Sequence, residues 1–371
     1  MATYRSPFTP LLLCVPLGLV LAHQGHGLNP LVVFVVNGLA IVPLAGLISS
    51  SVEELTDHLG DQWGGCLNAT FGNLVELVIA YSALTGGLYE VVLDGLVGGL
   101  VTNLLLVLGL AAVVGGLRHR RVQISSNAAL LNSNLLLAVV MVAFVPSALN
   151  QVGMFRSSTH QTGYSQLVAL ALLVFYCLSY VYQFLTHGDL FRDGPRPFEL
   201  DALEPPHAKV DPSVNPQSRR DLLKPFVVLA IATIALVFSS GGLVEGLSDS
   251  VTRFHLGGFF TGVFLLPLFG SAAEFVVSLR AARQNRMDLA VATTVGSSIQ
   301  IVLFVLPALI LLGAAIGRPL SIFFSPEAMV TVVASVFAVQ WVTDDGSLDW
   351  FEGVFLVLIY VLLFASTFFL L

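Results

Sequence analysis

The chain has 371 residues, of which 56% are hydrophobic and only 11% charged, with a formal net charge of −7. Soluble domains carry about 25% charged residues, so a water-soluble globular protein is excluded and an all-α polytopic membrane protein is expected. Cys14, Cys66 and Cys177 fall in apolar runs without metal-type spacing and read as small core residues.

Taken in order, residues 1–9 carry Arg5 and an apolar run spans 10–22. Val20-Leu21-Ala22 resembles a signal-peptide cleavage site, but the run is read as a retained first helix. Further helices are expected at 28–48, 63–86, 89–114, 125–147 and 164–186. After a polar stretch they resume at 223–243, 256–284, 287–313, 325–343 and 351–371, which makes eleven transmembrane helices in all. Their lengths suit a hydrocarbon core of about 30 Å.

The basic residues support this count. With the N-terminus on the cytoplasmic side, 13 of the 16 Lys and Arg fall in cytoplasmic segments, and only Arg156, Arg253 and Arg318 face the other way. That is a positive-inside bias. Residues 187–222 hold six prolines, mixed charges and few aliphatics, so a flexible cytoplasmic linker is expected there. The chain then divides into an N-terminal helix (1–27), a first five-helix repeat (28–186), the polar linker (187–222) and a second five-helix repeat (223–371). Five is odd, so the repeats insert with opposite topology, the inverted-repeat build of many secondary transporters.

Two short stretches carry the functional signal: Phe71-Gly72-Asn73-Leu74-Val75-Glu76 and Phe269-Gly270-Ser271-Ala272-Ala273-Glu274. Each lies inside a long apolar run. A carboxylate at mid-membrane depth costs about 2.5–3.5 kcal/mol or more, which makes it a functional-site hypothesis by default. Asn73 and Glu76 are three residues apart, as are Ser271 and Glu274, so each pair shares a helix face. One helix later, Gly99-Leu100-Val101-Thr102-Asn103 answers Gly296-Ser297-Ser298-Ile299-Gln300. Glu76 precedes Asn103 by 27 residues and Glu274 precedes Gln300 by 26.

Two carboxylates with amide and hydroxyl oxygens from Asn73, Asn103, Ser271, Ser297 and Gln300 form a hard oxygen set. Such a set suits calcium, which takes about 6–8 oxygens. No Cys or His joins it, which argues against zinc or copper. Proton coupling is assigned to the same two glutamates: a desolvated carboxylate holds its proton until a divalent cation displaces it. Acidic helix ends at Glu53, Glu54 and Glu245 read as a cytoplasmic mouth that concentrates cations, or equally as solvated ends. Glycine and proline ahead of each glutamate predict a kink or break. The many glycines elsewhere read as close helix-packing positions. Asp94 reads as a proton-route residue or a polar helix end.

The run Glu53-Glu54-Leu55, then Gly64 to Leu77, resembles the first signature of the calcium/proton exchangers, in the calcium/cation antiporter superfamily. Asn103-Leu104-Leu105-Leu106-Val107-Leu108-Gly109, Met287-Asp288-Leu289 and Gly296-Ser297-Ser298-Ile299-Gln300-Ile301 also resemble that family. The resemblance spans about residues 28–371. It implies eleven helices, a calcium site at Glu76 and Glu274, and ligand or gating roles for Asn73, Asn103, Ser297 and Gln300. The family's second signature has Asn where this chain has Ser271, and His where it has Phe275. Phe275 is expected to dry the site beside Glu274.

The function expected is therefore an antiport of calcium against protons, by alternating access at one site between the repeats. A sodium-coupled or manganese-transporting member of the superfamily is the alternative. An intramembrane enzyme is disfavoured, since no His-Glu-x-x-His, Ser–His or paired-Asp arrangement lies at membrane depth. Calcium, protons and the lipid bilayer are the expected partners. No cofactor and no nucleic acid are expected, and the oligomeric state is open. A prokaryotic plasma membrane is the expected location, a vacuolar or organellar membrane the alternative.

Overall fold

The computed structural model describes residues 9–23, 29–59, 67, 70–119, 121–124, 126–154, 158–182, 219–254 and 257–369. Most of the 187–222 stretch lies outside these. The helices are α1 (Cys14–His23), α2 (Pro30–Leu59), α3 (Leu74–Thr85), α4 (Tyr89–His119), α5 (Ser126–Gln151), α6 (Ser158–Val181), α7 (Arg219–Phe254), α8 (Gly258–Gly270), α9 (Ala272–Arg283), α10 (Met287–Ala315), α11 (Pro326–Thr343) and α12 (Trp350–Phe369). Among the described residues eight helices are long and apolar enough to cross a membrane, or nine if the bent pair α8–α9 counts as one span. The chain is thus an integral, multi-pass helical membrane protein. The eleven expected helices reduce to this number for two reasons. The first is short, and most of residues 60–69 lie outside the described set, which leaves α3 at 12 residues.

Two helices outrun their expected bounds. α2 runs on to Leu59, and α7 extends over 36 residues, starting four residues inside the stretch read as linker. They pack antiparallel, at glycine contacts. A Cβ at Gly246 would lie 2.6 Å from the Phe34 nitrogen, and one at Gly242 would lie 2.7 Å from the Asn37 amide. Small residues let apolar helices approach where no hydrophobic effect drives them together. α2, α3 and α7 share one apolar core, and the remaining helices build a second, larger one.

Another close crossing is α4 over α8. A Cβ at Gly98 would come 2.2 Å from the Val263 carbonyl oxygen, and one at Gly262 would come 2.5 Å from the Asp94 Cβ. Phe269, just before the break, fills the slot that Gly38 leaves on α2 and meets Phe34 edge-on at 5.5 Å.

Two hairpins point opposite ways along the membrane normal. The α3–α4 turn lies at residues 86–88, and the α9–α10 turn at 284–286. α7 leaves the linker at Arg219 and α8–α9 returns, so the second turn lies on the linker's face. The His119 ring, at the end of α4, sits 3.2 Å from the Arg283 carbonyl oxygen on that same face. A two-stranded antiparallel ribbon closes it: β1 (Arg121–Gln123) pairs with β2 (Ser347–Asp349), Val122 opposite Leu348. On the far face an extended segment is stitched down by buried serines. Phe324 N donates to Ser147 Oγ at 2.9 Å, and Ile322 N donates to Ser165 Oγ at 3.1 Å.

Candidate functional site

Both motif glutamates sit in the first turn of a helix that begins at a break. α8 and α9 meet at 61°, and Ser271 at the junction has φ −81° and ψ 17°. Asn73, ahead of α3, has φ −113° and ψ 27°. Asn and Ser at such positions normally turn their side chains back to cap the helix. Neither does so here, and both side chains are released for other contacts. The partner helices are irregular too. Thr102–Val107 in α4 and Ile301–Val305 in α10 are π-helical. One widened turn therefore carries Asn103, and the other follows directly on Gln300. Such turns are rare and re-aim the side chains around them.

These four irregular points bring the expected residues together. Asn73 Nδ2 donates to Gln300 Oε1. Ser297 Oγ lies 3.0 Å from Asn73 Oδ1 and 3.1 Å from Glu274 Oε1, and it accepts from Asn103 Nδ2 at 3.3 Å. The Glu76 and Glu274 carboxyl groups are electrostatic neighbours within this cluster.

Asn73, Asn103 and Ser297 are fully buried, Glu274 is 1% exposed and Ser271 2%. Among the described residues, Glu76 Oε1, Glu274 Oε2, Asn103 Oδ1 and Ser271 Oγ are buried oxygens with no hydrogen-bond partner. Leaving such oxygens unmatched costs about 1–3 kcal/mol each, and more for a charged group. All four belong to residues at the two breaks or on the partner helix α4. A cavity of about 30 Å³ adjoins Glu76, with Ala80, Gly95, Leu96, Gly99 and Ser271 in its walls. It lies on the side of the site facing the α3–α4 turn.

The acidic mouth does not assemble as expected. Because α2 and α7 are antiparallel, Glu53 and Glu54 lie near the C-terminal end of α2. Glu245 lies level with Phe34, near the opposite end of the pair. Glu245 is exposed there, on the far face from the linker, and so does not share a mouth with Glu53 and Glu54. Asp94 is buried, but its charged neighbours are Glu90 and Glu327, apart from the glutamate pair. Phe275 follows Glu274 directly in α9, so it points about 100° round the helix from it. It is half-buried and does not share the carboxylate's face, which removes the basis for drying the site. Two buried hydroxyls outside the expected set, Ser278 and Thr293, stand four residues from Glu274 and Ser297. That spacing was the available signal for them.

Apolar spans broken at matched points around one buried and one half-buried carboxylate make the build of a secondary cation transporter. The comparisons with known proteins agree. The model of the family described as "Sodium/calcium exchanger protein" matches residues 29–185 and 224–369, and the chain belongs to that family. It is 36% identical to a Ca(2+)/H(+) antiporter of Synechocystis over 100% of this chain and 99% of the relative. It is 32% identical to the Ca(2+)/H(+) antiporter ChaA of Bacillus subtilis over 92% of each. Among solved structures it resembles native YfkE with a TM-score of 0.77 at 28% identity, covering 97% of this chain and 99% of that one. It also shares the fold of the H+/Ca2+ exchanger CAX, with a TM-score of 0.71 at 16% identity, covering 100% of this chain and 93% of that one.

Proposed function

We infer that the chain is a calcium/proton antiporter, with Glu76 and Glu274 as the shared site of cation and proton. The observation that carries this is the pair of neighbouring carboxyl groups, one from each half, each with an unmatched buried oxygen. Calcium would draw on those carboxylates and on oxygens of Asn73, Asn103, Ser271, Ser297 and Gln300, within the 6–8 that it takes. The set is all oxygen, and among the described residues no group of three or more His, Cys, Asp or Glu could hold a metal ion. When the cation leaves, neighbouring like charges draw protons. Cation and proton therefore exclude each other at one place, which suffices for antiport once access alternates.

The two five-helix repeats, 28–186 and 223–371, hold one glutamate each. The linker and the N-terminus lie on the cytoplasmic side by the distribution of basic residues. Bacterial relatives of this length and fungal and plant vacuolar transporters both match the chain. The prokaryotic plasma membrane is the location this reading favours.

The test is calcium flux in proteoliposomes under an imposed pH gradient. Uptake should follow the gradient, and Glu274→Gln or Glu76→Gln should reduce it to background. Uptake driven by sodium and indifferent to pH, or manganese preferred over calcium, would instead support the alternative within the family. Exchange surviving Glu274→Gln would place proton coupling elsewhere.

A further inference from the structure

Ser278 and Thr293 stand at matching heights on the two arms of the α9–α10 hairpin. The hairpin's register is set by Ser297 Oγ, which meets Glu274 Oε1 at 3.1 Å. Ser278 comes four residues after Glu274, and Thr293 comes four before Ser297. Both therefore stand one turn, about 6 Å, nearer the 284–286 turn on the faces that carry those two residues. Each is fully buried, and among the described residues neither hydroxyl has a hydrogen-bond partner.

A buried helical serine or threonine ordinarily returns its hydroxyl to the carbonyl four residues back. Thr294 and Ser298, the next residue along from Thr293 and from Ser297, do so, to the Ala290 and Thr294 oxygens at 2.9 and 2.8 Å. The Ser278 and Thr293 hydroxyls make no such return. Beyond them, Ala281, Ala282, Leu289 and Ala290 are buried and close the hairpin.

The other hairpin shows what this place is for. Ala80 comes four residues after Glu76, as Ser278 does after Glu274. Leu96 comes seven before Asn103, as Thr293 does before Gln300. Ala80 and Leu96 both line the cavity beside Glu76. The two hairpins point to opposite faces, so the cavity and the hydroxyl pair occupy matching halves of one route through the membrane.

We propose that Ser278 and Thr293 line the passage between Glu274 and the linker face, where their hydroxyl oxygens are the first ligands a cation meets after leaving the carboxylates. The proposal rests on the antiporter reading. A cation released from two carboxylates must regain oxygen ligands before it reaches water, and two hydroxyls one turn away supply them in an otherwise apolar wall. The far-face passage, with alanine and leucine in these places, has no such step.

Two measurements test this. In a chain with Cys14, Cys66 and Cys177 replaced by serine, Ser278→Cys and Thr293→Cys should react with a membrane-impermeant thiol reagent from the linker face only. Calcium should slow that reaction, and Ala80→Cys should react from the far face. Reaction from the far face, or from neither, would overturn the assignment. Ser278→Ala with Thr293→Val should raise the KM for calcium about tenfold at the linker face in sealed vesicles of known orientation, leaving the far-face KM unchanged. Thr293→Ser, which keeps the hydroxyl, should behave as the parent. Equal changes at both faces, or none, would reduce the pair to packing. Failure of the antiporter reading would appear separately, as absence of calcium/proton exchange in the parent chain, while the labelling would still report which face the passage meets.

Discussion

Ser297 has one hydroxyl hydrogen and two acceptors within reach, Asn73 Oδ1 and Glu274 Oε1. It can serve only one at a time, so it is the point at which the amide side of the site and the carboxylate side compete. Ser297→Ala removes that donor and strands Asn103 Nδ2, at a cost of about 1–3 kcal/mol in a buried site. The KM for calcium should rise about 5–150-fold with the fold intact, read by equilibrium binding and by thermal unfolding in detergent. A similar contrast separates the two departures from the family pattern. Ser271 Oγ is an unmatched oxygen at the break, so Ser271→Asn should change calcium affinity. Phe275 lies off the carboxylate's face, so Phe275→His should leave acid inhibition of transport as it is. Steeper or weaker acid inhibition in Phe275→His alone would contradict this geometry. The glutamates, Asn73 and Asn103 were legible in the sequence because a polar group in an apolar run has few bland uses. Ser278 and Thr293 were not. Serine and threonine are common in membrane helices, and no local pattern tells which hydroxyl turns to its own backbone and which turns away.

The same division holds for the elements. The two breaks ahead of the glutamates were legible from Gly72, Pro267 and Gly270, and of the glycines read as packing positions Gly98 and Gly116 pack closely. Gly98 gives the sharpest case. Any side chain there meets the Val263 carbonyl oxygen, which belongs to backbone and cannot swing aside. Gly98→Ala should destabilise by about 1–3 kcal/mol as overpacking does and lower the unfolding temperature. Gly46→Ala, with nothing within 4 Å of the new Cβ, should be neutral or gain up to about 1 kcal/mol from helix propensity. If the two variants unfold alike, the α4–α8 crossing is looser than described. The π-helical turns at Thr102–Val107 and Ile301–Val305 left no trace in the sequence, because their widening answers packing across the bundle and not local propensity. The β1–β2 ribbon was equally hidden. Its strands are three residues long, and their pairing exists only because α4 and α11 end side by side. The same limit applies to Glu245. An acidic helix end is visible in the sequence, but the face it reaches follows from the antiparallel packing of α2 on α7.

At the scale of the whole molecule, the inverted halves meet at one pair of carboxyl groups, so exchange reduces to a count of protons. Two neighbouring carboxylates repel each other, and a proton on either relieves that repulsion when no cation is bound. Calcium needs both as carboxylates, so its binding must release one or two protons, and acid must weaken it. For each proton released, the apparent dissociation constant rises about tenfold per unit fall in pH, over the range in which the pair is protonated. The pair titrates as a unit, so the slope belongs to both residues together and not to either alone. Calorimetric titration of calcium into the purified protein, in buffers of different ionisation enthalpy, gives the number directly. One to two protons should be released per ion in mildly acidic buffer, with the number falling toward zero as the pair loses its protons at higher pH. Glu76→Gln leaves one titrating carboxylate at the junction of the halves, and it should bind calcium weakly while releasing no more than one. A parent protein that binds calcium with no proton release at any pH would mean that cation and proton do not meet at this pair. The two halves would then have to be coupled through a movement of the helices rather than through a shared site.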